Sequence, residues 1–123
     1  MRQRTAKRKM ECISDLFRNL SKNKKSLTVF IIDGEPKHES YLSLLKEASD
    51  ETATELKTCR FFSDNTTTEK MYWAVADYSS RGNIGALLVM LPLPKHIDKD
   101  KVFSAIPQEK DIRRAIERII EPC

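Results

Sequence analysis

The chain has 123 residues, 40% hydrophobic and 33% charged, with a formal charge of +4; that is enough for one domain with a core and too little for two. No apolar run nears the ~20 residues that cross a bilayer, and Gly 3 with Pro 5 excludes a linker-like chain. The charge is uneven: residues 1–27 hold nine Lys/Arg against two acids, and residues 28–123 hold thirteen against sixteen, so the basicity sits on an arm and argues against a nucleic-acid-binding body.

Arg2, Arg4, Lys7, Arg8 and Lys9 make residues 1–9 a basic arm, read either as a solvated helix start or as a polyanion contact. Met10, Ile13, Leu16, Phe17 and Leu20 then recur at three- and four-residue steps and predict a helix. Leu27 to Ile32 is short, β-branched and apolar, as a strand covered on both faces would be. Asp33-Gly34-Glu35-Pro36 breaks it, and Ser40 to Leu56 reads as a helix. Lys57 to Phe62 is a weaker strand. Thr66-x-x-Glu69 has the form of a capping box and opens a helix running through Met71, Ala74, Val75 and Tyr78 to Arg81-Gly82-Asn83.

Ala86 to Leu91 is the third strand and runs into Pro92 and Pro94, which cannot continue a central strand. Asp98 to Ala105 is a short helix. Pro107 opens a last one, with Ile112, Ala115, Ile116, Ile119 and Ile120 along one face. Strands alternating with helices predict an α/β fold: a three-layer, single domain over residues 10–123, with a small, mostly parallel sheet and helices on both faces.

In such a sheet, ligands bind beyond the carboxyl ends of the strands, which here means Asp33 to Ser40, Ser63 to Thr67 and Leu91 to His96. Neither glycine-rich phosphate loop nor a nucleophile-elbow motif occurs. Cys12, Cys59 and Cys123 are too few and too widely spaced for a disulfide framework, and with two histidines they argue against a metal site. Cysteine usage and the lack of an apolar leader core point to a cytoplasmic protein with no membrane association. His38 is expected to be exposed in the loop after the first strand, Trp73 to be partly buried on its helix, and Cys59 to be a small core residue.

The run Leu91-Pro92-Leu93-Pro94-Lys95-His96-Ile97-Asp98 is more specific. It is followed by Asp100-Lys101-Val102, Ala105-Ile106 and Glu109-Lys110-Asp111, and preceded upstream by Gly34-Glu35-Pro36 and Ser40-Tyr41. These residues resemble the N-terminal domain of the methylenetetrahydrofolate dehydrogenase/methenyltetrahydrofolate cyclohydrolase family, over roughly residues 10–112. The resemblance implies a cleft for a tetrahydrofolate derivative. The family's nicotinamide cofactor is held by a second, Rossmann-type domain, so neither NADP binding nor hydride transfer is expected from this chain alone. His96 also occurs in active members and marks descent.

The resemblance also implies a site. Tyr41 stands where the family has a tyrosine near the folate ring, and Leu91 and Pro92 where its proline-leucine loop lies. Three positions depart from the pattern. Leu45 replaces the essential lysine four residues after the tyrosine, Met90 the glutamine before the loop, and Arg113 the aspartate that accepts from the pterin edge. Leucine cannot carry a proton, methionine is a weak acceptor, and arginine offers only donors.

Three functions follow as alternatives. One is a standalone, catalytically degenerate homologue acting by binding a ligand or a protein partner. The second is an active one-carbon folate enzyme, such as a cyclohydrolase, using His38, Lys46 or Arg113. The third is an interaction module with a polyanion-binding arm. Self-association, or a mixed oligomer with a full-length homologue, is the partner expectation that fits loss of a covering domain. The helix ending at Ile120 would cover the same surface.

Overall fold

A computed structural model of the protein describes residues 14–112. The basic arm, Arg113, most of the last expected helix and Cys123 lie outside the described residues.

Residues 14–22 are helical and form α1. Then come β1 (Ser26–Ile32), α2 (Pro36–Thr52), β2 (Leu56–Phe61), α3 (Thr68–Ser79), β3 (Ile84–Val89) and α4 (Lys99–Ser104), with single 3-10 turns at Ser63–Asn65 and Gln108–Lys110. The three strands are all parallel, in the order β2-β1-β3. β1 is central and buried along its whole length, which is why its sequence is apolar without alternation. The edge strand β2 is half-exposed, and its Lys57 and Arg60 suit an edge.

Successive strand residues point to opposite faces, so the core divides in two. On one face Leu27, Val29, Ile31, Ala86 and Leu88 pack against Phe17 of α1 and Leu42, Leu45 and Ala48 of α2. On the other, Phe30, Ile32, Leu87 and Val89 pack against Met71 and Val75 of α3, Val102 of α4 and Ile97 and Ile106 beside it. The expected α/β sandwich of a small parallel sheet between helices is the fold observed.

Several boundaries move, each for a local reason. α2 begins at Pro36, not Ser40: Pro36 occupies the first turn, where its missing N–H costs nothing, and Glu35 caps the helix by accepting from Lys37 N. It ends at Thr52 because Ala53 turns left-handed at φ 55°, a stop taken without glycine, and Leu56 passes to the strand. The cap of α3 is Thr67, whose hydroxyl accepts from Lys70 N at 3.1 Å; Thr66 instead donates to Phe62 O. β3 is displaced two residues toward its start, with Ile84 as its first residue and Leu91 beyond its end. Pro107 leads into a 3-10 turn, after which Asp111 bridges to Leu87.

A bulge sits at the start of β3, where the register slips from Ser26–Ile84 to Leu27–Ala86. Gly85 is the inserted residue. A Cβ there would lie 2.6 Å from Lys25 Cβ and 2.8 Å from Leu20 Cδ2, so only glycine lets α1 and its turn close over the strand.

Candidate functional site

The carboxyl ends of β1 and β3 converge on the segment that follows β3. Met90 N still donates to Phe30 O at 2.9 Å, continuing the ladder one residue past the strand. From Leu91 the chain leaves the sheet and is stitched down at its far end. His96 Nε2 donates to Thr66 O at 2.8 Å, and Asp98 N donates to Thr68 Oγ1 at 2.9 Å. Asp98 also caps α4, accepting from Asp100 N and Lys101 N.

Two clefts flank this segment. One, of about 720 Å³, is lined by Leu91, Pro92, Leu93 and Ile97, with Lys37, Lys95 and Lys99 among its polar residues. The other, of about 300 Å³, lies between Pro92–Pro94 and the turn after β1, against Asp33, Glu35 and Ser63. Pro92, Leu93 and Pro94 are the shared wall. Gly34, at φ 86°, gives the facing turn its left-handed corner.

His38 does not occupy an exposed loop. It lies in the first turn of α2 and is wholly buried. Its Nδ1 accepts from Ile32 N at 2.9 Å, and its Nε2 contacts Pro92 O at 2.9 Å. Burial holds the imidazole below its ordinary range, against the opposing pull of the Pro92 carbonyl, Glu35 and Glu39. The missed signal was Pro36: a proline at the first helical position places the residue two later in the opening turn.

Beside it, Arg60 of β2 spans Asp33 at 3.1 Å and Glu39 at 2.6 Å. The hydrogen bond from Arg60 pulls the Glu39 carboxyl below its usual range. All three side chains are part-exposed, so this fork orients the turn after β1 more than it stabilises the fold.

The residues singled out from sequence fall into two groups. Tyr41, Leu45 and Met90 come together on the α2 side of the sheet. Leu45 is fully buried, Met90 is 5% exposed, and Tyr41 packs against their cluster with its hydroxyl buried. Ile112 joins them. Leu91, 37% exposed, and Pro92 turn outward to form the cleft wall. Arg113 is outside the described residues. Lys46 is exposed, one step around α2 from Leu45.

Trp73 departs from expectation. It is 67% exposed, standing edge-on to Tyr72 on the outer side of α3, because the buried stripe of that helix runs through Met71 and Val75. Cys59 is half-buried against the second cluster, in hydrogen-bond contact with Tyr78, whose hydroxyl it pushes above its ordinary range. Among the described residues no helix is long and apolar enough to cross a membrane, and no cluster of three metal-ligating side chains occurs.

Known proteins share this fold. The family model for the tetrahydrofolate dehydrogenase/cyclohydrolase catalytic domain matches residues 2–113. The bifunctional protein FolD of Anaplasma phagocytophilum is 33% identical over 87 residues, covering 71% of this chain and 28% of that protein. The FolD of Mycoplasma mycoides is 31% identical over 98 residues, covering 80% and 34%. Among solved structures, the FolD methylenetetrahydrofolate dehydrogenase/cyclohydrolase of Campylobacter jejuni superimposes with a TM-score of 0.71 at 24% identity, over 88% of this chain and 38% of that one. The Trypanosoma brucei enzyme, solved with NADP cofactor and inhibitor, gives 0.70 at 24% identity, over 86% and 37%. The chain thus spans about a third of the length of the relatives it matches. By its sequence over residues 2–113, the chain belongs to the tetrahydrofolate dehydrogenase/cyclohydrolase family, in the part that forms the catalytic domain.

Proposed function

We propose that this chain is a non-catalytic member of the family that binds a tetrahydrofolate-type molecule without converting its one-carbon group. The observation that carries the reading is the burial of Leu45 and Met90 within one apolar cluster. The resemblance assigns a lysine and a glutamine to those positions. Here neither side chain can move a proton or offer a strong hydrogen bond, and both are spent on packing. His38 cannot substitute, since both its ring nitrogens are engaged by backbone groups. Tyr41 is retained beside them, and the clefts along Leu91–Pro94 leave concave surface at the carboxyl ends of the strands, where parallel sheets take ligands.

The test is hydrolysis of methenyltetrahydrofolate followed by its absorbance. The expected rate with protein equals the spontaneous rate in buffer. A rate that rises in proportion to protein concentration would sink the reading in favour of an active cyclohydrolase.

A further inference from the structure

His38 is a fully buried polar side chain that the reading above leaves without a task. Its two contacts fix its chemistry. A backbone N–H can only donate, so Nδ1, facing Ile32 N, is the acceptor. A backbone carbonyl can only accept, so Nε2, facing Pro92 O, carries the proton. The ring is therefore the neutral Nε2–H tautomer. It joins three parts of the fold: the end of β1, the first turn of α2 and the wall between the two clefts.

We propose that His38 is the positioning residue of the Leu91–Pro94 wall, holding it against β1 in the neutral Nε2–H form and releasing it when Nδ1 is protonated. A proton on Nδ1 would set donor against donor at Ile32, and full burial leaves no water to accept it. The carboxylates acting on the ring are Glu35, ahead of α2, and Glu39, on it, and both favour the charged form. Glu39 is held by Arg60 from β2, as is Asp33 of the intervening turn. The wall itself presents a carbonyl.

Burial dominates and lowers the folded value, so the released wall binds more protons than the seated one. The seated form is favoured fully above about pH 6.5, the ordinary imidazole value, and loses that advantage as pH falls toward the lower folded value. Its bearing on ligand rests on the proposed function, but the strut itself needs no ligand.

The experiment therefore uses the ligand-free full chain. Imidazole nitrogen NMR should show His38 with Nδ1 bare and Nε2 protonated near neutral pH. Amide exchange, corrected for intrinsic rates, should show the Ile32 protection factor falling severalfold, by at most about tenfold, between about pH 7.5 and about pH 5.5. Val29, deeper in β1, should hold steady. The other histidine, His96, is controlled by His96→Gln, which should keep the Ile32 response. His38→Asn offers a carbonyl near Nδ1 that does not titrate, and should flatten it. An Nδ1–H tautomer, a flat Ile32 profile in the native protein, an equal fall at Val29, or an undiminished response in His38→Asn would each overturn the proposal. Because no folate is present, failure to bind folate leaves this result unaffected.

Discussion

Leu45 shows how one side chain decides between chemistry and packing. It lies at 0% exposure among Leu27, Val29, Ala48, Leu88 and Met90, so its methyls complete the core on the α2 face. Leu45→Ala should cost about 2–5 kcal/mol in urea unfolding, as for a fully enclosed leucine. A loss under about 0.5 kcal/mol, the scale of a surface change, would show the site to be open instead. Thr28 makes the opposite case. Its hydroxyl is buried in β1 with no hydrogen-bond partner among the described residues. Thr28→Val keeps the shape and removes the orphan, and should raise stability by about 1 kcal/mol in the same assay.

Among elements, the bulge at Gly85 ties the first helix to the sheet. Gly85→Ala drives a Cβ into Lys25 and Leu20, and should cost about 1–3 kcal/mol by thermal unfolding while leaving the secondary-structure content intact. The strands and helices were legible in the sequence because each had its own period: β1 reads as an unbroken apolar run, and α3 as a stripe through Met71 and Val75. What was not legible depended on contacts across the chain. The bulge comes from how α1 meets β3, which no local pattern carries. His38 lies in a helix and not in a loop because Pro36, which can either break a segment or begin one, here opens α2. Trp73 lies off the buried stripe of α3, as its spacing implies, but is more exposed than expected because nothing among the described residues covers that side of the helix. Within the site, the proline-leucine run located the wall from sequence. The histidine behind that wall emerged only once β1, α2 and the wall were seen together.

At the scale of the molecule, a parallel sheet covered on both faces leaves one rim free for binding, and the two clefts lie along it. The chain corresponds to about a third of its relatives' length, so a whole bifunctional enzyme's activities do not transfer to it by likeness. The proline-leucine wall faces these clefts, while Tyr41, Leu45 and Met90 lie in the apolar cluster on the α2 side of the sheet. On the proposed reading, this rim binds a ligand and no side chain there converts it. Titration calorimetry with methenyltetrahydrofolate tests this most directly, because one trace reports both binding and turnover. The expected trace is a saturating heat that returns to baseline after every injection. Continuing heat flow that scales with protein would contradict the loss of catalysis, and a trace with no heat beyond dilution would contradict ligand binding.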